Sequence, residues 1–351
     1  MSMRIAVLGA EHYHANFWIR AFLQSEGVAV AGVWDKDRAK AVALAGRHGI
    51  GVADNLETLL DRSDAVAICS ATNEHVGFVR EAARHGLPVL CEKPLGATEG
   101  DCLEIARIVG ESGVPFMQSF PKRFDPINQE IKSLLADRAL GTVTLCRVRH
   151  GHGHGFEDDF RQSWFVDPAR SGGGTLLDEG VHAADFLRWM FGEPKTVSAA
   201  VSSAALGLPV EDTAVATFHF DSGMFAEVTT SWCFAAADAS IEIYGTEGTL
   251  LLTGVDLASR ATHDGGFLRV YSRKTEHWSV SPTIPHFKTG VFHEHVAWAF
   301  VRALKEGRPM PVTLEDGMRA FAMVEAAYRS AKSGRLETVR PASEFDAGLI
   351  R

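Results

Sequence analysis

The chain has 351 residues, of which 46% are apolar and 23% charged, and its formal net charge is −9. This length suggests two domains with ordinary globular composition, and the acidic balance disfavours nucleic acid, which is usually bound by a basic patch. No apolar segment approaches the ~20 residues of a membrane span, and the N-terminal apolar run is too short for a signal peptide. We therefore expect a cytoplasmic protein with neither nucleic-acid nor membrane partners.

Strands and helices alternate over the first 120 residues. The predicted strands are 4–8, 28–35, 65–70, 88–91 and 115–118, and the predicted helices between them are 14–25, 36–48, 75–85 and 98–112. Such alternation implies βαβ units and therefore a parallel sheet. The pattern predicts an N-terminal α/β domain over residues 1–122.

The pattern changes after residue 123. Longer alternating runs are separated by turn signals, and the predicted strands are 142–149, 196–203, 212–220, 224–232, 240–244, 249–253 and 267–271. The predicted helices are 126–137, 178–191, 292–306 and 314–333. Consecutive strands joined by tight turns favour an antiparallel sheet. Residues 123–351 are therefore predicted to form an α+β domain with a large, mostly antiparallel open sheet.

The first strand ends in a glycine that opens the first helix. This is the phosphate-binding arrangement of a Rossmann unit, in which helix N-terminal amides face a pyrophosphate. Only Gly9 of the usual G-x-G-x-x-G pattern is present, and Ala10, Glu11, His12 and, at the third glycine position, His14 follow it. A carboxylate at Glu11 repels phosphate unless it turns away, so this motif alone is weak.

An acidic residue near the end of the second strand supports a dinucleotide site. Asp35 lies 26 residues after Gly9, and a carboxylate there accepts both ribose hydroxyls of NAD and repels the 2′-phosphate of NADP. Arg38 can offset that repulsion. We favour NAD, with NADP still possible; the alternative role for Asp35 is a helix N-cap.

Two later stretches carry groups that can move a proton. Lys93 precedes Pro94, which pushes its backbone away from helical conformations, and Asp178 and His182 are four residues apart in a predicted helix. Positions i and i+4 share a helix face. An ammonium, an imidazole and a carboxylate suit the oxidation of an alcohol. The alternatives are a surface lysine, a core histidine and a carboxylate that complements the helix dipole.

In this order and spacing the motifs resemble those of the Gfo/Idh/MocA oxidoreductase family, which includes inositol and sugar dehydrogenases. The resemblance covers about residues 4–334. Its anchors are Gly9, Asp35, the Ala-Thr-Asn-Glu-His run 71–75, Glu92-Lys93-Pro94, the Arg-Phe-Asp-Pro run 123–126, the glycine-rich run 172–182 and the late run 325–330.

The resemblance implies a Rossmann domain followed by an α+β domain whose open sheet often forms the oligomer contact, so we expect a homodimer or homotetramer. It implies catalysis by Lys93, Asp178 and His182. The residues expected to bind the cofactor are Gly9, Ala10, Glu11, His12, Asp35, Arg38, Ser70, Ala71, Thr72, Asn73, His75, Glu92 and Lys93. The chain departs from the family pattern at Glu11, at His14, and at Phe120 and Pro121.

Five residues are expected to bind substrate: Arg123, His152, Trp164, Asp178 and His182. Arg123 can position a hydroxyl or carboxylate, or form a salt bridge with Asp125 or another acid. Trp164 can stack on a sugar face, or be a buried core residue.

The histidines of the run 150–154 alternate with glycines. Residues i, i+2 and i+4 of a strand share a face, so three imidazoles can converge on a metal ion, with His286, His293 and His295 as further ligands. Glycine weakens a strand, however, and the run falls where the family has a substrate loop. We therefore predict a substrate-side loop or solvated histidines, and no metal.

The leading hypothesis is an NAD(P)-dependent oxidoreductase that transfers a hydride between nicotinamide and a hydroxyl-bearing carbon of a sugar, polyol or cyclitol. His182 would be the general base, and Lys93 and Asp178 would position and polarise the hydroxyl. Two alternatives remain: an NAD-dependent glycosidase or epimerase that oxidises its substrate transiently, and a catalytically silent regulator that binds dinucleotide or sugar.

Overall fold

The computed structural model describes residues 2–236, 239–255, 257 and 264–340. The N-terminal part contains a five-stranded sheet in the order β2-β1-β3-β4-β5, and every neighbouring pair is parallel. The strands are β1 (Met3–Leu8), β2 (Val28–Trp34), β3 (Ala65–Ile68), β4 (Val89–Cys91) and β5 (Phe116–Gln118). The predicted Rossmann-type sheet is confirmed.

Helices connect these strands, as the periodicity predicts. They are α1 (Ala15–Gln24), α2 (Arg38–His48), α3 (Leu56–Asp61), α4 (His75–Arg84) and α5 (Glu99–Ser112). The sequence did not predict α3, although its signals are present: Asn55 caps it by accepting the N–H of Thr58, and Leu59 and Leu60 are buried. It is short, so its hydrophobic period spans too few turns to be recognised.

The second part is built on a nine-stranded sheet in the order β13-β12-β11-β10-β6-β9-β8-β7-β14. Its neighbouring pairs are antiparallel except β6 and β9, which are parallel. The strands are β6 (Val143–Gly151), β7 (Thr196–Ser202), β8 (Thr213–His219), β9 (Phe225–Ser231), β10 (Ile241–Gly245), β11 (Gly248–Leu252), β12 (Leu268–Ser272), β13 (His277–Val280) and β14 (Glu337–Thr338). The mostly antiparallel sheet is confirmed, and the sequence missed β13 and β14.

The helices of this part are α6 (Pro126–Ala136), α7 (Asp158–Arg161), α8 (Pro168–Ser171), α9 (Thr175–Asp178), α10 (Gly180–Phe191), α11 (His286–Thr289), α12 (Glu294–Glu306) and α13 (Leu314–Ser333). The prediction of one helix over 178–191 was wrong. Asp178 ends α9 and His182 lies in α10, with Glu179 between them at φ −96°. The N–H of His182 bonds the carbonyl of Glu179 at 3.2 Å, a tighter turn than the α-helical one.

The two parts pack closely, and the hydrophobic core runs through both sheets. Helix α13 packs against β5, and α1 packs against α12. Gly317 of α13 allows this approach, because a Cβ there would lie 2.5 Å from Oε1 of Gln118. The carboxyl ends of the parallel strands consequently open toward the second part of the chain. Among the described helices, none combines the length and apolar character that a bilayer crossing requires.

Candidate active site

Lys93 follows the carboxyl end of β4 and reaches across to the second part of the chain. Its side chain is 3% exposed, and Nζ donates to the backbone oxygen of Asp178 at 3.0 Å and to its Oδ1 at 2.5 Å. Burial acts to lower the pKa of Lys93, but the neighbouring carboxylates, Asp178 foremost, outweigh it and raise that pKa. Lys93 therefore carries its proton at neutral pH.

Asp178 orients the lysine. Its Oδ1 accepts from Lys93, and its Oδ2 accepts from Nε1 of Trp232 at 3.0 Å. Burial is the main cause of a raised pKa for this carboxyl, against the lowering effect of Lys93. Since both oxygens already have donors, the geometry fits Asp178 better to holding Lys93 than to binding a substrate hydroxyl directly.

His182 lines the same cleft as Lys93 and is 5% exposed. Burial, together with the positive charge of Lys93 and the neighbouring His150, holds its pKa well below the usual value. The imidazole is consequently neutral at physiological pH, the form that accepts a proton. Its ring lies 5.2 Å from that of His150 and 6.2 Å from that of Phe120.

Glu179 joins the histidine run to this cluster, and the sequence did not single it out. Its carboxylate lies 3.1 Å from Nε2 of His150 and 3.4 Å from Nε2 of His152. Burial would raise the pKa of Glu179, but its bonds to the two histidines outweigh burial and hold that pKa well below its usual value. His154 instead contacts a different acid, with its Nδ1 2.9 Å from Oε1 of Glu157. The run therefore brings two imidazoles, not three, to one carboxylate.

The cleft has an empty volume of about 720 Å³ and is open on one side. Aromatic and histidine side chains from several elements line it beside the cluster: Tyr13, His14, Phe17, Phe287, Phe292 and His293. The rings of His14 and His293 lie 3.6 Å apart. Of these six, only His14 and His293 were named from the sequence, as a departure from the glycine pattern and as a candidate metal ligand, because residues so far apart in sequence give no local signal that they share a cleft.

Lys122 is a second buried lysine near the cluster. Burial lowers its pKa to about 8, against the opposing effect of Asp125, Glu179 and Asp185. Its charge in turn contributes to the lowered pKa values of His150 and His182. The sequence motif drew attention to the neighbouring Arg123 instead.

Arg123 is engaged by carboxylates of the protein itself, the alternative to positioning a substrate. Its guanidinium donates to both oxygens of Asp185, at distances from 2.6 to 3.1 Å, and lies 2.9 Å from Oδ1 of Asp316. Buried arginines need such carboxylate partners. Arg123 is thus part of an ion-pair network between α10 and α13, and its partner is not Asp125.

Trp164 is also placed differently from the sugar-stacking prediction. It belongs to a small core cluster with Ala71, Phe165, Val210 and Trp232, and its ring stacks on Phe165 at 4.0 Å. It does not contribute to the wall of the cleft beside His182. The alternative of a buried core tryptophan therefore describes this residue.

Gly9 shapes the turn after β1. Its φ of +84° suits glycine, and a Cβ would lie 2.5 Å from the backbone nitrogen of Ser70. The N–H of Ala10 donates to Oδ2 of Asp35 at 2.7 Å. Asp37, not Asp35, caps α2 by accepting the N–H of Ala39 at 3.0 Å, so the N-cap alternative for Asp35 was wrong.

The other predicted cofactor residues lie along the carboxyl edge of the sheet. Ser70, Ala71 and Thr72 follow β3 and are buried, whereas Asn73 is exposed. His75 is buried with Nδ1 3.2 Å from the carbonyl oxygen of Leu95. His12 and Glu92 are buried beneath the first turn, where Oε1 of Glu92 lies 3.2 Å from Nδ1 of His14.

Three basic residues of the segment 36–40 lie near Asp35, and each is paired with an acid. Lys36 contacts Glu74 at 2.9 Å. Arg38 pairs with Asp54. Lys40 pairs with Glu11. The predicted role of Arg38, to offset the repulsion of a 2′-phosphate, therefore requires it to leave Asp54.

These residues fit a dinucleotide. The strand order changes direction between β1 and β3, the place where open α/β sheets bind ligands. Gly9 keeps the backbone accessible there, and Asp35 presents a carboxylate that is half-buried beside it. The departure at Glu11 is balanced locally, because Lys40 and Arg170 both contact its carboxylate.

Comparisons with known proteins agree with this architecture. Residues 3–120 match the oxidoreductase family with an NAD-binding Rossmann fold, and residues 128–251 match the GFO/IDH/MocA C-terminal domain. The chain is 29% identical to the 1,5-anhydro-D-fructose reductase of Ensifer adhaerens, over 95% of this chain and 96% of the other. It is 28% identical to inositol 2-dehydrogenase 2 of Saccharopolyspora erythraea, over 98% and 97%.

A solved structure gives the same relationship. GenD2 from gentamicin A biosynthesis, crystallised in complex with NAD, superimposes with a TM-score of 0.81 at 27% identity, and the match covers 97% of each chain. Both halves of the sequence, their order and their shared cleft thus have counterparts in one group of enzymes. The chain belongs to the Gfo/Idh/MocA family of oxidoreductases.

Proposed function

We propose that this protein is an NAD-dependent oxidoreductase that transfers a hydride between nicotinamide and a hydroxyl-bearing carbon of a sugar, polyol or cyclitol. One observation carries the proposal: a protonated lysine and a neutral histidine line the same cleft at the carboxyl edge of a Rossmann-type sheet. The relatives named above act on polyhydroxylated substrates, and we extend that substrate class to this chain.

The cluster divides the work of alcohol oxidation. The nicotinamide, when bound, supplies the hydride acceptor. His182 takes the hydroxyl proton, because its neutral imidazole is the available base. The Lys93 ammonium donates a hydrogen bond to the substrate oxygen and stabilises the negative charge that develops on it. Asp178 and Trp232 keep Lys93 in place, and the reverse reaction uses the same groups with the proton moving back.

We propose NAD rather than NADP as the preferred cofactor. Asp35 places a negative charge where a 2′-phosphate would lie. The cations of segment 36–40 are each engaged by an acid, so binding a 2′-phosphate requires breaking an existing ion pair. NADP is the weaker-binding alternative, because Arg38 must first leave Asp54.

The pocket chemistry favours an uncharged, hydroxyl-rich substrate. The Glu179 carboxylate, held by His150 and His152, offers hydrogen-bond acceptors for neighbouring substrate hydroxyls, and the Lys93 ammonium in the same cleft is a donor. The aromatic rim at Tyr13 and Phe292 suits the C–H face of a sugar ring. We propose this subsite in place of the Trp164 platform.

We further propose the domain boundary between residues 122 and 123, in the segment that joins β5 to α6. We also propose a homodimer or homotetramer. Large apolar side chains on the nine-stranded sheet are exposed in the monomer: Val215, Phe225, Trp278 and Val280. Val215 and Phe225 lie on the neighbouring strands β8 and β9, whereas Trp278 and Val280 lie on the edge strand β13, and exposed apolar side chains of this kind are candidates for burial in a subunit interface. Light scattering after size exclusion measures the assembly, and a monomer at micromolar concentration would exclude it.

A spectrophotometric screen tests the proposed function. The purified protein is incubated with NAD and, one at a time, with inositols, aldoses and anhydro sugars, and absorbance at 340 nm is followed. Accumulating NADH with at least one polyol is expected. Product formation with NAD bound but no net NADH would favour the glycosidase or epimerase alternative. Binding without any turnover across the set would favour the silent regulator.

A further inference from the structure

The phosphate-binding turn contains a carboxylate where the family pattern has bare glycine backbone. The side chain of Glu11 is only 7% exposed, and it is in contact with two cations. Lys40 comes from α2 of the Rossmann part, whereas Arg170 comes from α8 of the second part. The acid therefore sits between the two halves of the protein.

Local structure fixes Arg170 in this position. Asp167 caps α8 by accepting the N–H of Ala169 at 3.0 Å. Gly172 ends the helix at φ +85°, where a Cβ would lie 2.1 Å from the carbonyl oxygen of Ala97. Any side chain at position 172 would push α8 away from the Rossmann part. The short helix α8 thus packs closely against the Rossmann part, and the guanidinium of Arg170 contacts Glu11.

The charge of Glu11 is maintained despite its burial. Burial acts to raise the pKa of this carboxyl, but the hydrogen bonds and charges of Arg170 and Lys40 outweigh that effect and lower the pKa. The turn thus holds an anion between two cations at neutral pH. A dinucleotide pyrophosphate is an anion that binds at this kind of turn.

We propose that Glu11 is an internal substitute for the cofactor pyrophosphate, and that Lys40 and Arg170 exchange its carboxylate for the pyrophosphate when the dinucleotide binds. This inference rests on the proposed function and adds the residues that compensate for the two missing glycines. Arg170 then links the state of the cofactor site to the second part of the chain. The family glycine pattern contains no such exchange, because it has no competing anion.

A purely structural ion pair makes the opposite prediction for affinity. If Glu11 only holds the two halves together, its loss loosens the groove and weakens NAD binding. If Glu11 competes with the pyrophosphate, its loss frees two cations and strengthens NAD binding. The sign of the change separates the two roles.

The test is isothermal titration of the full-length protein and its Glu11→Gln variant with NAD, ADP-ribose and adenosine. Glutamine keeps the size of the side chain and removes its charge. We expect NAD and ADP-ribose to bind about tenfold more tightly to the variant, since charge-assisted bonds to phosphate are no longer contested, and adenosine affinity to stay unchanged. The melting temperature of the cofactor-free variant is expected to fall. Equal or weaker binding of ADP-ribose overturns the proposal.

Two further variants complete the design. Arg170→Gln is expected to weaken ADP-ribose binding about tenfold, and adding Glu11→Gln in that background is expected to give a smaller gain than in the wild type. Glu104→Gln is the matched control, because Glu104 also lies between two cations, Arg80 and Arg107, but on α4 and α5 away from the turn. Its NAD affinity is expected to equal that of the wild type.

Binding measurements distinguish failure of the anion exchange at Glu11 from failure of the proposed dehydrogenase function. If the wild type binds NAD and Glu11→Gln does not improve on it, the exchange is excluded and the dehydrogenase function stands. If neither protein binds NAD or NADP, the function falls and the exchange falls with it.

Discussion

The proposed catalytic cluster and the proposed phosphate-binding turn lie at the same edge of one sheet, yet they are built in different ways. Lys93, Asp178 and His182 keep the family motifs, and Lys93 and Asp178 meet within hydrogen-bonding distance. The turn at 9–14 keeps one glycine and fills the space with a charged side chain and histidines. The comparison shows two ways of holding charge at one sheet edge: a buried lysine paired with one aspartate, and a carboxylate shared between two partly exposed cations.

The physical reason lies in burial. In the cluster a lysine, an aspartate and a histidine are all less than a tenth exposed, so each polar group needs a particular partner and substitution leaves a buried charge unpaired. At the turn, Lys40 and Arg170 are partly exposed and can exchange one anion for another. A binding site of that kind can be assembled from residues distant in sequence.

The largest expected effect tests the catalytic half of the comparison. Lys93→Met keeps much of the side-chain volume and removes the ammonium, so turnover is expected to fall about 10²- to 10⁴-fold while NAD affinity changes little. Turnover is measured from absorbance at 340 nm, and NAD affinity is measured by titration calorimetry. Lys132→Met serves as the control, because Lys132 also donates to a backbone carbonyl, that of Trp189, outside the cleft. Normal turnover in Lys93→Met would exclude the assigned role.

The second prediction tests the cofactor half. Asp35→Ala removes the carboxylate proposed to accept the ribose hydroxyls, and NAD is expected to bind about 10- to 100-fold more weakly, with a smaller NAD to NADP preference. Asp37→Asn is the control, since asparagine still caps α2 while one negative charge is lost nearby. Calorimetric titration with NAD and with NADP measures the affinity of each variant for both dinucleotides. An unchanged NAD preference in Asp35→Ala contradicts the assignment.

The smallest expected effect concerns pH. A cation beside an imidazole disfavours its protonated form, so Lys122 lowers the pKa of His182. Removing that charge raises the pKa, and the acid limb of the kcat/KM profile in Lys122→Gln is expected to move to higher pH by about one unit or less. In the wild type this limb is expected below pH 6.5.

The matched control for this shift is Lys195→Gln, an exposed lysine 3.0 Å from Asp221. It changes the net charge by the same amount at a distance from the cleft. If the acid limb moves equally in both variants, or moves to lower pH in Lys122→Gln, then Lys122 does not lower the pKa of His182 in the way proposed.

Three residues show why the expectations from sequence and the contacts in the structure differ. Arg123 and Trp164 are residue types that bind substrates in many enzymes, but here their partners, Asp185 and Phe165, lie within the protein core. Glu179 was overlooked because its role depends on two contacts that form only in the folded protein. Its partners are His150, in β6, and His152, just after that strand. Composition and spacing show which groups a segment carries and do not show which distant element they meet.

The sequence by itself determined the two-part architecture, the parallel sheet and the lysine, aspartate and histidine of the cleft. Those features depend on local periodicity and on short motifs whose geometry is fixed by the backbone. Only the tertiary structure showed that Asp178 accepts a hydrogen bond from Lys93, that Glu179 contacts two histidines, and that Arg170 forms an ion pair with Glu11. Each of those contacts joins segments far apart in the chain, two of them across the two halves and the third within the second half, so its existence depends on tertiary packing and not on any local pattern.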